Sequence, residues 1–173
     1  KTNECGAKIV LGTAADEAAI KAEAPDALVI AIGAKPIVQP IKGIELPNVK
    51  DVSKVDRGEE TTGETVVVCG AGLSGAECAL SLAMEGKKVT LVDMIPEDEF
   101  YEDLIFFSKP LLKRYLAENN VVLMGGCTVQ EFRPDGVVVQ KADGATEKLP
   151  CDTAVAAFGV TPDKALVAAL KGL

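Results

Sequence analysis

"VVVCGAGLSGAECALSLAMEGKKVTLVD", residues 66–93, decides the fold. It opens on an unbroken apolar run, the pattern of a strand buried on both faces. Gly70, Gly72 and Gly75 follow, then a small-residue helix expected to reach about Glu85, then a second strand, KVTLVD, that closes on Asp93. A strand, a helix and a strand in that order make a βαβ unit with two parallel strands. GxGxxG spacing alone is a weak signal. Set directly after a strand, opening a helix, and answered by an acid at the end of the next strand, it reads as a dinucleotide-binding turn.

Each residue of the turn then has an expected task. Gly70 allows the tight bend, Gly72 lets the backbone approach a diphosphate, and Gly75 lets helix and strand pack closely. The diphosphate is expected at the helix N-terminus around Ala71, Leu73 and Ser74, where unpaired N–H groups and the positive end of the helix dipole converge. Asp93 is placed to accept hydrogen bonds from the adenosine ribose hydroxyls. A 2'-phosphate would meet like charge there, and neighbouring Met94, Ile95 and Pro96 offer no cation. NAD(H) is therefore expected over NADP(H). An ordinary strand-to-helix turn and a solvated strand end remain the plainer readings of the glycines and of Asp93. Glu77, one turn into the helix, faces the ligand or merely complements the dipole, an effect of about 0.3–1 kcal/mol.

Working outward, Pro110 fits near the first turn of a helix reaching about Glu118, with Leu111, Leu112, Tyr115 and Leu116 on its inner face. VVLM, residues 121–124, supplies a further strand. Residues 127–150 then change character: CTVQEFR, VVVQK and TEKLP alternate around turns at Pro134-Asp135-Gly136 and Asp143-Gly144. TAVAAFG, residues 153–159, reads as another doubly buried strand, and Pro162 starts a closing helix. The fold class expected is α/β: a Rossmann-like parallel sheet with an inserted three-stranded antiparallel meander, as in FAD/NAD(P)-binding domains. Upstream, residues 7–11 and 27–33 read as strands around a helix near Asp16–Ala24, and residues 34–63 as an irregular connector. A domain boundary is expected near Gly63, dividing residues 1–62 from 63–173. "DEFYEDLIFF", residues 98–107, reads as a short surface helix or a lid.

The chain has 173 residues and a formal net charge of −8, which disfavours a sequence-independent grip on nucleic acid. No apolar run nears the roughly 20 residues of a membrane span, so a cytoplasmic protein without nucleic-acid or membrane partners is expected. Five cysteines without paired spacing read as buried thiols. Histidine is absent, which removes the usual general base and the commonest zinc ligand. No catalytic side chain and no metal site are expected; a cofactor carries any chemistry. The chain begins at Lys1 and stops just after a helical pattern, as a piece of a longer protein would.

"CGAGLSGAECALSLAMEGKKVTLVDM", residues 69–94, resembles the NAD motif of the two-dinucleotide-binding-domain flavoproteins. Within them it is similar to NADH:flavin oxidoreductases of the 2-enoate and 2,4-dienoyl-CoA reductase type. "PDALVIAIGAKP", residues 25–36, and "CDTAVAAFGVTPD", residues 151–163, resemble the paired signatures where such chains leave and re-enter the flavin domain. The resemblance implies that Glu77 approaches the nicotinamide carboxamide and that Gly33 and Gly159 neighbour a dinucleotide. It implies NADH as ligand, the flavin-binding domain of the same parent chain as partner, FAD held mostly by parts outside this chain, and FMN and an iron–sulfur cluster in the parent. Ile32 and Phe158 depart from the Thr or Leu of many relatives, and Lys42 stands where Pro is frequent. The fragment itself is expected to bind NADH weakly and turn nothing over. A non-catalytic ADP- or NAD-holding platform, as in trimethylamine dehydrogenase-like relatives, is the other reading, and a disulfide reductase is disfavoured by the missing CxxC.

Overall fold

The computed structural model describes residues 2–101 and 108–171. It forms two units, Pro36–Val160 and a smaller one built from Lys1–Lys35 with Thr161–Leu173. In the smaller unit, α1 (Glu17–Glu23) starts at Asp16, whose side chain accepts from the Ala19 N–H at 2.9 Å. It ends at Ala24, in the left-handed region just before Pro25. The strands expected over 7–11 and 27–33 are absent. Both runs lack a ladder, and Val10, Leu11 and Val29 are exposed. A strand needs a hydrogen-bonded neighbour, and the described residues of this unit supply none to these runs.

β1 (Lys35–Pro36) leads into the larger unit. There β2 (Val49–Asp51) and α2 (Val52–Asp56) lie within what the sequence presents as connector. The Asp51 carboxylate caps α2, taking the Ser53 N–H at 3.0 Å, so the helix leaves the strand without a loop. The larger unit therefore begins well before Gly63.

The quoted stretch forms β3 (Thr65–Cys69), α3 (Leu73–Met84) and β4 (Lys88–Val92). After it come α4 (Ser108–Glu118), β5 (Val122–Met124), β6 (Cys127–Arg133), β7 (Gly136–Lys141), β8 (Thr146–Pro150) and β9 (Thr153–Ala156). Five strands make a parallel sheet in the order β2-β9-β3-β4-β5, and β6-β7-β8 make the antiparallel meander. The fold is Rossmann-like.

β3 reads as continuously apolar because its alternate side chains enter two different cores. Val66 and Val68 pack with Ala76, Ala79 and Leu82 of α3 and Leu116 of α4. Val67 and Cys69 pack instead with Phe132, Val137 and Leu149 of the meander. Helices cover one face of the sheet and the meander the other, so every residue from Val66 to Cys69 is buried.

α3 presents Gly75, Ala76, Cys78 and Ala79 to the sheet, small side chains that permit a close approach. Its end is fixed by a Schellman arrangement: the Gly86 N–H reaches Ala83 O at 2.9 Å, and the Lys87 N–H reaches Leu82 O at 3.2 Å. Gly86, at φ +90°, supplies the left-handed residue this motif requires.

On α4 the buried face is Leu112 and Leu116, whereas Leu111 and Tyr115 are exposed. Residues 112 and 116 are one turn apart on one stripe, and 111 and 115 lie about 100° round the helix from it. Of the segment read as a lid or surface helix, residues 102–107 lie outside the described residues. Glu97–Glu99 form a 3-10 turn, and Phe100 and Tyr101 are buried with their rings edge to face at 5.7 Å. β9 is shorter than the expected 153–159, since the chain turns away at Gly159, φ +85°. β10 (Val160–Thr161) pairs with β1, and α5 (Lys164–Lys171) closes the chain, with Asp163 accepting from the Leu166 N–H at 3.0 Å. Among the described residues no helix is long and apolar enough to cross a membrane.

Candidate functional site

The ends of β3, β4 and β9 converge on one cleft. Gly70, at φ +114°, turns the chain out of β3, and a Cβ there would lie 2.3 Å from Ala157 O. Gly75 sits where α3 crosses that turn, and a Cβ on it would lie 1.9 Å from Gly70 O. Both glycines are therefore demanded by the protein's own packing.

Gly72 differs. Its φ of −65° is open to any residue, and a Cβ there would meet nothing within 4 Å. Neither backbone conformation nor packing calls for glycine at this position. What remains is space in front of the backbone, at the N-cap of a twelve-residue helix with no side-chain cap and no acid in its first turn. The first-turn N–H groups and the dipole are thus unopposed and face a cavity.

Asp93 is held from two sides. Its Oδ2 accepts the Ala71 N–H at 2.6 Å and its Oδ1 the Ile95 N–H at 3.1 Å. The backbone is fixed as well, with the Asp93 N–H on Met124 O at 3.0 Å and the Cys127 N–H on Asp93 O at 2.8 Å. A carboxylate has about four acceptor positions. Two are used by the protein, so two remain for hydroxyl donors.

The cavity measures about 670 Å3, within the range typical of small-molecule sites. Gly70, Gly72, Leu73, Ser74 and Gly75 line it from the turn and α3, Asp93 and Met94 from the end of β4, and Gly159 from beyond β9. Ala71 is buried behind the turn, with its N–H on Asp93. Glu77 is exposed on α3 and does not line this cavity. Gly33 belongs to the smaller unit, at φ +73° with nothing within 4 Å of a Cβ.

Several lining residues carry no motif: Gln39, Pro40 and Ile41, and Cys127 to Val129 at the start of β6. One signal was present for the second group. Gly125-Gly126 follows strand β5, and a Cβ on Gly125 would lie 2.3 Å from the Glu97 N, so the chain there passes tightly against the segment after Asp93.

The buried thiols are poor nucleophiles. Burial pushes Cys78 from an ordinary 9.0 up to about 12 and Cys151 to about 11, and it raises Cys69 and Cys127 as well. Among the described residues no three His, Cys, Asp or Glu side chains gather as a metal cluster.

Residues 3–172 match the family described as pyridine nucleotide-disulphide oxidoreductase. The chain belongs to that family. The bilirubin reductase of Mediterraneibacter gnavus (strain CC55_001C) is 37% identical over 161 residues, covering 93% of this chain and 25% of that protein. The NADH oxidase of Thermoanaerobacter brockii is 30% identical over 164 residues, covering 92% and 25%. Among solved structures, 2-naphthoyl-CoA reductase in complex with 2-naphthoyl-CoA superposes with a TM-score of 0.83 at 33% identity, over 98% of this chain and 25% of that one. This pyridine nucleotide-disulphide oxidoreductase chain thus spans about a quarter of the length of these relatives, which are oxidoreductases by name.

Proposed function

We propose that the chain is the NADH-binding domain of a flavin-dependent oxidoreductase and presents the nicotinamide for hydride transfer to a flavin. The observation that carries this is Gly72, a glycine that neither backbone nor packing requires, at an uncapped helix N-terminus that opens on a cavity. A dinucleotide diphosphate explains it: an anion needs those N–H groups, and a side chain would stand in its way. Asp93 adds two vacant acceptor positions for ribose hydroxyls. Bound NADH supplies the hydride and the flavin receives it; the residues of this chain bind and orient.

In this reading Gly70, Gly72, Leu73, Ser74 and Gly75 hold the diphosphate, Ala71 braces the turn through its N–H on Asp93, and Asp93 and Met94 hold the adenosine. Gly159 neighbours the nicotinamide side, Gly33 the flavin and Glu77 the carboxamide edge. Residues 63–173 carry the NAD-binding function, and residues 1–62 flank it from the flavin domain. The parent is of the enoate or dienoyl reductase type, with FAD, and with FMN and an iron–sulfur cluster elsewhere in its length; its substrate is an unsaturated acyl or carbonyl compound. We take its compartment to be the cytoplasm, where five cysteines without paired spacing stay reduced.

Calorimetric titration of the 173-residue chain tests the reading. NADH is expected to bind and NADPH to bind at least about tenfold more weakly, the effect of about 1.4 kcal/mol of charge repulsion at Asp93. Saturation-transfer NMR is expected to light the nicotinamide protons as well as those of adenine. Absence of any NADH binding refutes the domain's role. Transfer to adenine alone favours the non-catalytic platform instead.

A further inference from the structure

The chain has three methionines, Met84, Met94 and Met124. Two of them stand in solvent to nearly the same degree, Met84 at 70% and Met94 at 69%. Met124 is half-buried against the meander core. The two exposed ones differ in place: Met84 ends α3 and lies outside the large cavity, and Met94 lines it. The protein thus carries one accessible thioether at the cleft and a second of equal exposure away from it.

Met94 cannot leave that wall without breaking the turn that carries it. On one side the Asp93 N–H is on Met124 O at 3.0 Å. On the other the Ile95 N–H is on Asp93 Oδ1 at 3.1 Å, and the Gly126 N–H is on Ile95 O at 2.8 Å. The backbone is therefore pinned at residues 93 and 95, and a flexible, unbranched thioether stands on a fixed rim.

Sulfur chemistry at the cleft falls to this residue. Among the described residues the cavity has one other sulfur, that of Cys127. Cys127 is only 4% exposed, its thiol donates to Gly125 O at 3.5 Å, and burial keeps it in the unreactive protonated form. Hydroperoxides attack thiolates and exposed thioethers. Here the thiol is shielded and the thioether is open.

We infer that Met94 is a redox-sensitive modification site, at which a hydroperoxide weakens dinucleotide binding. This rests on the NADH reading above, which sets the adenosine against Met94, and adds a control on that site. In the reaction with hydrogen peroxide the O–O bond breaks, one oxygen bonds to the Met94 sulfur through a sulfur lone pair, and water leaves. Sulfur loses two electrons and the peroxide gains them. The product is a polar, chiral sulfoxide. Its S=O dipole, hydrated while the cleft is open, sheds water when a base covers it, and the favourable contact of a thioether with an aromatic ring is lost. Both effects lower affinity, and enzymatic reduction of the sulfoxide reverses them.

The test is calorimetric titration of NADH into the 173-residue chain before and after hydrogen peroxide. Dithiothreitol is added after the peroxide to return oxidised thiols, and peptide mass spectrometry measures the sulfoxide at each methionine. Met84 and Met94 are expected to oxidise to similar extents, and NADH affinity to fall about threefold to tenfold, the worth of a sulfur–aromatic contact. Methionine sulfoxide reductases are expected to restore it. Met84→Leu is expected to bind NADH as the unmodified chain does and to lose as much on oxidation, whereas Met94→Leu, whatever its starting affinity, loses nothing further. Undiminished affinity with Met94 fully oxidised overturns the inference, as does a fall that persists in Met94→Leu, or a Met94 that resists peroxide while Met84 reacts. If the untreated chain binds no NADH, the NADH reading itself falls and the inference falls with it.

Discussion

Gly75→Ala is expected to destabilise the chain by about 3 kcal/mol or more, read as a lowered urea midpoint at unchanged slope. Two effects oppose each other. Alanine in a helix interior is favoured over glycine by roughly 0.8–1 kcal/mol. Against this, the new Cβ would lie 1.9 Å from Gly70 O and 3.1 Å from the Ala157 Cβ. The nearer obstacle is backbone, itself fixed by the Gly70 N–H on Val92 O at 2.8 Å, so it does not yield as a side-chain tip would. Overpacking wins, and α3 is forced off β3. Gly72→Ala is the contrasting case, with a stability cost of at most about 1 kcal/mol at an N-cap, because its Cβ meets only open space. Its expected effect is on binding, a loss of NADH affinity of tenfold or more by calorimetry. Equal stability losses at the two positions would contradict the division of labour among the glycines.

Asp93→Asn is expected to weaken NADH by roughly tenfold to a hundredfold, the range for a hydrogen bond to a charged group of about 1.5–3 kcal/mol. The change also loosens the turn, since Asp93 holds the Ala71 N–H. That second effect lowers NADH and NADPH affinity alike. Removing the charge relieves repulsion of a 2'-phosphate alone, so the ratio of the two affinities isolates the electrostatic part. The NADH-to-NADPH ratio is expected to fall towards one. An unchanged ratio would leave Asp93 as a structural brace for the turn and nothing more.

The βαβ core was legible because its signals are local. β3 declares itself by an apolar run, α3 by its glycines and small residues, and the meander by alternation around Asp-Gly and Pro-Asp-Gly turns. Strand β2 was not legible. Three residues, two of them charged and all half-buried at the sheet edge, carry no periodicity, and their pairing partner lies in β9. The runs at 7–11 and 27–33 show the converse failure: apolar sequence signals a strand, yet a strand exists only beside a neighbour. At the site, the glycines and Asp93 stood out because each has a local reason to be there. Val52 and Val129 join the cavity only through the way the sheet and the meander come together, which no window of sequence contains. Glu77 lies one turn into α3 as its spacing suggests, but its side chain is exposed and outside the main cavity.

The position of β3 at the centre of the sheet also bears on how the chain emerges from a ribosome. Val66 gains its neighbour Val89 soon after synthesis, but its other neighbour, Thr153, comes only once the whole meander has been made. Until then one long edge of the most apolar strand stands open, a template for pairing with other nascent chains. Late arrival of residues 153–156 makes them the seal on that edge, and truncations that remove them leave an aggregation-prone product in place of a merely smaller domain.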